Sequence, residues 1–152
     1  MTRAAAPVLR SAVPSDYDAI AAVIDDWWGR PILGALPRLF LDHFHRTSLI
    51  AESPAGMAGF LIGFMSPSAA DEAYIHFVGV DPGARASGVA RAMYERFFDL
   101  ARGNGRHVVK AITAPVNTVS QDFHRRMGFT VSEPVPGYNG PGTSLVTFAR
   151  AL

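Results

Sequence analysis

Apolar and polar positions follow two rhythms along this chain, one of period two and one of about 3.6. Residues 8–13 form a short apolar-rich run that predicts a first strand. Tyr17, Ile20, Ile24 and Trp27 then recur at helical spacing. Ser15, with Asp18 three residues on, predicts an N-cap and capping box for this helix, and Gly29 its end. A second helix is expected over 37–45, with Leu39, Phe40 and Phe44 on its apolar side. Residues 49–52 and 57–65 read as strands joined by the Ser53-Pro54-Ala55-Gly56 turn, and 73–80 as another strand. Over 88–102, Val89, Met93, Phe97 and Leu100 make the core stripe of a long helix, with Arg91 and Glu95 as an i,i+4 pair.

Gly103 and Gly105 stop that helix, and 107–113 is a strand. A short helix is expected over 118–127, with Thr118 and Gln121 as a capping box and Gly128 just past its end. Residues 129–133 and 145–149 are the last strands, with the Pro- and Gly-rich segment 134–142 between them as an exposed loop. The order is β-α-α-β-β-β-α-β-α-β-β. Periodicity alone specifies an α/β domain with a mixed sheet, without internal repeats, linkers or low-complexity tracts.

A length of 152 residues suits a single domain over 1–152 with a real core. Nearly half the residues are hydrophobic, so disorder is not expected. The formal net charge of +1 gives no case for nucleic acid or an anionic membrane as partner. Absence of cysteine excludes disulfides, thiolate catalysis and zinc–sulfur sites. Residues 1–7 contain no long apolar leader core and no segment reaches about 18 apolar residues, so a soluble, cytoplasmic protein is expected. His43 and His45 stand two apart and face different sides of a helix, and no clustered carboxylates accompany them, so no metal site is expected.

The chemistry concentrates in residues 78–90, Val-Gly-Val-Asp-Pro-Gly-Ala-Arg-Ala-Ser-Gly-Val-Ala. A strand ends at Val80, a turn follows, and Arg85-Ala86-Ser87-Gly88-Val89-Ala90 opens a helix. The first N–H groups of a helix lack intrahelical partners and carry the positive end of its macrodipole. Small residues let those groups close around a phosphate, and Arg85 can add a charge-assisted bond. No G-x-x-x-x-G-K-[ST] loop occurs, and a dinucleotide fingerprint lacks both its third glycine and its following acid.

The pattern R-x-x-G-x-A after V-x-V-D-P resembles the coenzyme A loop of the GNAT superfamily of N-acetyltransferases, whose signature is Q/R-x-x-G-x-G/A. A second stretch, residues 117–129, is similar to that family's later signature: Asn117, Ser120, Phe123, Gly128 and Phe129 match, some 30 residues after the first motif. The resemblance covers nearly the whole chain. It implies a mostly antiparallel sheet of six to seven strands with about four flanking helices. It also implies acetyl-CoA as cosubstrate, with the amine attacking directly in a ternary complex.

By the same resemblance, the backbone N–H of Val78 faces the thioester oxygen at a splay between the fourth and fifth strands. Backbone groups of Val80 hold the pantetheine arm, and Gly79 between them allows close backbone approach. Arg85 through Ala90, with Asn117, Ser120 and Phe123, complete the coenzyme site. Many relatives carry a tyrosine at the position of His124, where its hydroxyl is proposed to protonate the leaving thiolate. An imidazolium can do that work; a packing histidine is the other reading.

Tyr74, His76, Val78 and Val80 share one face of their strand by alternation, and Glu72 joins them if the strand extends. His76 or Glu72 could accept the amine proton, directly or through water. The plainer readings are a hydrogen-bonded core histidine and a solvated turn at Asp71-Glu72. Family members line the acceptor pocket with the first two helices and the late loop, which here supply Asp25, Asp26, Trp28, Arg30 and Tyr138. The two acids could attract a cationic amine, with Trp27 or Trp28 as a cation–π wall; the plainer reading has Trp27 continuing the core stripe and the acids solvated. Arg30 could instead recognise a carboxylate. The acceptor could thus be a small amine, or a protein or peptide, and a non-catalytic acyl-CoA-binding module shares the same loop. A homodimer is a further expectation from the resemblance.

Overall fold

The computed structural model describes residues 7–152; the expected leaderless start at residues 1–6 lies outside the described residues. The chain folds as two compact units. The first holds the N-terminal part up to Phe64 together with Phe77–Leu100, and the second holds Met65–His76 and Ala101–Leu152. Among the described residues there are eight strands and four α-helices, and no helix is long and apolar enough to cross a membrane.

In the first unit, β1 (Val8–Ser11) pairs antiparallel with β2 (Leu49–Ser53), Leu9 opposite Ala51. β2 pairs antiparallel with β3 (Gly56–Met65), with a register shift at Ala51/Glu52 where the hairpin bends. The Phe77–Val80 half of β4 (Glu72–Val80) lies next to β3. Helices α1 (Asp16–Trp28) and α2 (Leu39–Phe44) bury Ile20, Ile24 and Leu41 with Ile50, Phe60 and Ile62 of the strands. Aromatic rings extend this core: Trp27 stacks on Phe60 at 5.9 Å, and Phe60 on Phe77 at 6.1 Å. Against β3, α3 (Val89–Gly103) sets Val89 and Met93 close to Gly59, where a Cβ would come within 3.1 Å of both side chains. Of the expected stripe, Val89, Met93 and Phe97 are buried and Leu100 is half-buried, and Tyr94 and Phe98 join the buried side.

Two helix starts differ from the sequence expectation. Ser15 sits at the N-cap of α1 without a side-chain bond, so the Ser15–Asp18 capping box does not form. Asp16 ties the entry instead, accepting from the Val13 N–H at 2.7 Å and pairing with Arg10. The helix ends as expected on Gly29, left-handed at φ 74°. At the other helix, α4 (Thr118–Arg126), Asn117 is the cap in place of the Thr118–Gln121 box.

In the second unit, the Glu72–His76 half of β4 runs parallel to β5 (Val108–Thr113), with Glu72, Ala73 and Tyr74 opposite Val108, Val109 and Lys110. β5 pairs antiparallel with β8 (Ser144–Ala151), and β6 (Thr130–Val131) covers the opposite edge of β8. The segment expected to be a plain loop contains β7 (Val135–Pro136), which pairs with Leu145 and Ser144 and turns 134–142 into a tight hairpin. Its tip is closed by the Gly137 N–H donating to the Thr143 carbonyl at 2.7 Å, and Gly137 is left-handed at φ 72°. α4 lies over Phe129 and Phe148, and Arg106 donates to the carbonyls of Ser66, Ala69 and Glu72, fixing the approach to β4.

Candidate active site

The loop after β4 is built by local bonds. The Asp81 N–H donates to Ala58, and its carboxylate accepts from the Gly83 N–H at 2.9 Å, setting a 3-10 turn over Pro82–Ala84. The chain then extends at Arg85, turns left-handed at Ala86 (φ 64°), and does so again at Gly88 (φ 85°). Ser87 Oγ donates to the Ala84 carbonyl. The helix therefore starts at Val89, later than the expected opening at Arg85. The Ser87 N–H also donates to the Ala84 carbonyl, at 3.3 Å. Arg85, Ala86, Ser87 and Gly88 are all exposed, Ala90 is half-buried and Val89 buried. Gly88 has no neighbour within 4 Å of where a Cβ would sit. The loop thus leaves its main chain open to solvent ahead of α3.

The alternation predicted along β4 is visible in its burial except at Phe77, which is half-buried like its neighbours. Glu72, Tyr74, His76, Val78 and Val80 are half-buried, whereas Ala73, Ile75 and Gly79 are buried. Gly79 is demanded by packing: a Cβ there would lie 2.5 Å from the Phe60 ring, so the aromatic core accounts for this glycine. Arg85 has a partner of its own at the start of this loop. Its Nη2 donates to the Trp27 carbonyl at 2.6 Å, at the end of α1.

The acceptor-side candidates Asp25, Asp26, Trp28 and Arg30 belong to the first unit, and Tyr74 and Tyr138 to the second. Asp25 is engaged locally: its Oδ1 accepts from the N–H groups of Ile32 and Leu33 at 2.8 and 3.0 Å. Asp26 and Arg30 are exposed. Trp28 packs on Phe77 with ring centroids 4.5 Å apart, on the opposite parity of β4 from Val78 and Val80. In the second unit, Tyr74 and Tyr138 come near enough to interact. Burial, then Tyr138, push the Tyr74 phenol up to about 12, so it stays a protonated donor. Tyr138 stands half exposed on the hairpin tip. Glu72 forms an ion pair with Lys110 of β5.

His124 is buried, one of two polar residues so placed among the described residues. Its ring lies on Phe148, and Phe123 and Phe129 meet it edge-on at 5.6 and 5.0 Å. Nδ1 donates to the Ser120 carbonyl at 2.7 Å. Burial lowers its pKa to about 4, so the ring is neutral at pH 7, not the imidazolium an acid role assumes. Asn117 Oδ1 accepts from the Ser120 N–H, and its amide donates to Thr113 Oγ1. Its first task is thus to cap α4. Lys110 and Phe77 are the contacts that sequence reasoning missed. Both depend on which strands and helices become neighbours, and no single-sequence signal marks that.

The acetyltransferase (GNAT) family matches residues 16–129. That is three quarters of the chain, and the chain belongs to this family. The L-2,4-diaminobutyric acid acetyltransferase of Vibrio parahaemolyticus is 24% identical over 70% of this chain and 54% of its own length. The chain spans between 29% and 54% of the length of the curated relatives it matches. Among solved structures, Ard1 from Thermoplasma volcanium superposes with a TM-score of 0.80 at 21% identity, over 97% of this chain and 99% of that one. The yncA acetyltransferase from Salmonella typhimurium, solved with its cofactor acetyl-CoA, gives 0.74 at 21% identity over 97% and 95%. These likenesses establish the GNAT fold, a mixed sheet with four helices.

Proposed function

We propose that the protein is an acetyl-CoA-dependent N-acetyltransferase that acts on a primary amine of a small molecule, with residues 1–152 serving as one functional domain. The observation that carries this reading is the Asp81–Ala90 loop, with left-handed Ala86 and Gly88 ahead of α3. Bound there, acetyl-CoA supplies an activated acyl carbon. Main-chain N–H groups of the loop at Ala86 and Gly88 hold the pyrophosphate, and Val80 main-chain groups fix the pantetheine arm. The Val78 N–H faces the carbonyl oxygen and stabilises the charge that collects on it during attack.

The amine must be neutral to attack, so the even-numbered face of β4 holds the proton acceptor. His76 is the nearer candidate to Val78 along the strand, and Glu72 the farther, its carboxylate already paired with Lys110. His124 is assigned to packing: a buried neutral ring on Phe148 supplies no proton at pH 7. Tyr74 and Tyr138 form an aromatic, hydroxyl-bearing wall for the acceptor. The diaminobutyrate activity named for a relative favours an amino-acid-like acceptor, for which exposed Arg30 offers a carboxylate partner.

The test is thiol release from acetyl-CoA with a panel of amines that includes diamino acids, polyamines, aminoglycosides and short peptides. Release driven by diamino acids supports the reading, and release driven only by peptides replaces the small-molecule acceptor. Coenzyme binding without release for any amine favours the binding-module reading.

A further inference from the structure

Helix α1 carries Asp25 and Asp26 in its last turn, which has no basic residue. Both acids stand at the negative end of the macrodipole, where a cation is favoured. Arg85, 58 residues further along, supplies it: the guanidinium donates to the Trp27 carbonyl at 2.6 Å. The same residue begins the loop whose Ala86 and Gly88 turn left-handed. One side chain thus links the coenzyme loop to the end of α1. The next residue, Trp28, packs on Phe77, the chain neighbour of Val78.

We infer that Arg85 is a positioning residue that couples occupancy of the coenzyme loop to the end of α1. The inference rests on the coenzyme reading above. A pyrophosphate among the loop N–H groups offers the guanidinium a stronger, doubly charged partner than a carbonyl. The guanidinium shifts toward it and releases the Trp27 carbonyl, and the turn carrying Trp27 and Trp28 resettles. By linkage, whatever binds against that turn then changes coenzyme affinity by the same factor.

Trp27 and Trp28 are the chain's two tryptophans, so tryptophan emission reports on this turn alone. Coenzyme A is titrated while heat and emission are followed, with correction for adenine absorbance. The expected wild-type result is an emission change that saturates together with the heat. Arg85→Ala, read at its own saturation, loses that change while still giving heat of binding. Arg85→Gln, which keeps a neutral donor, retains part of it. A full emission change in Arg85→Ala, or none in the wild type despite binding heat, overturns the coupling. No heat in the wild type overturns the coenzyme reading itself, and the coupling with it.

Discussion

His124 lies flat on Phe148, with ring centroids 3.8 Å apart and planes 6° from parallel. The stack places an ionisable ring in the core of the second unit and lowers its pKa from 6.5 to about 4. Above pH 6.5 the ring is neutral whether the chain is folded or not. Below that, the unfolded chain takes up a proton that the folded one resists, so stability falls as pH drops from 6.5 to about 4. The loss is on the order of 3 kcal/mol. Urea unfolding at several pH values should show this decline, and His124→Phe should flatten it while retaining the stack.

Catalysis should separate from that stability effect. With a neutral ring held in the core, His124→Phe is expected to keep the basic limb of the kcat/KM profile in place. His76→Ala should lower kcat/KM at pH 7 by roughly a hundredfold, the usual scale of lost general-base assistance. A shifted basic limb in His124→Phe would restore the proton-donor role to that residue.

Gly79→Ala places a methyl carbon 2.5 Å from the Phe60 ring, which is itself sandwiched between Trp27 and Phe77. The expected cost is about 1–3 kcal/mol of stability. Phe60→Leu in the same chain should recover part of it. Equal melting temperatures for wild type and Gly79→Ala would show that the ring moves aside freely.

Asp25 and Asp26 are neighbours with different tasks. Asp25→Ala leaves the N–H groups of Ile32 and Leu33 without their acceptor and should destabilise by about 1 kcal/mol. Asp26→Ala removes an exposed carboxylate and should leave the melting temperature unchanged. An Asp25→Ala chain as stable as wild type, with a raised acceptor KM, would return Asp25 to the acceptor site.

Gly88 is left-handed at φ 85° with open space around it. Gly88→Ala therefore meets only backbone strain, roughly 1–2 kcal/mol. Relief by reshaping the loop should appear as weaker coenzyme A binding in calorimetry. Ala86 shares the left-handed turn at φ 64°, and Ala86→Gly should stabilise the chain while preserving that binding.

Apart from β7, the order of strands and helices was legible in the sequence because periods of two and 3.6 are local properties. The period-two face of β4, the stripe of α3 and the small-residue loop between them depend only on residues a few positions apart, so the chain itself determines them. Capping went to Asn117, not Thr118, because α4 starts at Thr118 and the residue before it holds the N-cap position, within reach of the Ser120 N–H. The surroundings of His124, Gly79, Asp25, Glu72 and Arg85 were decided by the tertiary structure. Phe148, Phe60, the N–H groups of residues 32 and 33, Lys110 and the Trp27 carbonyl reach them through folding. Burial, ion pairing and close packing are set by neighbours in space, and the linear spacing of residues carries no record of those neighbours.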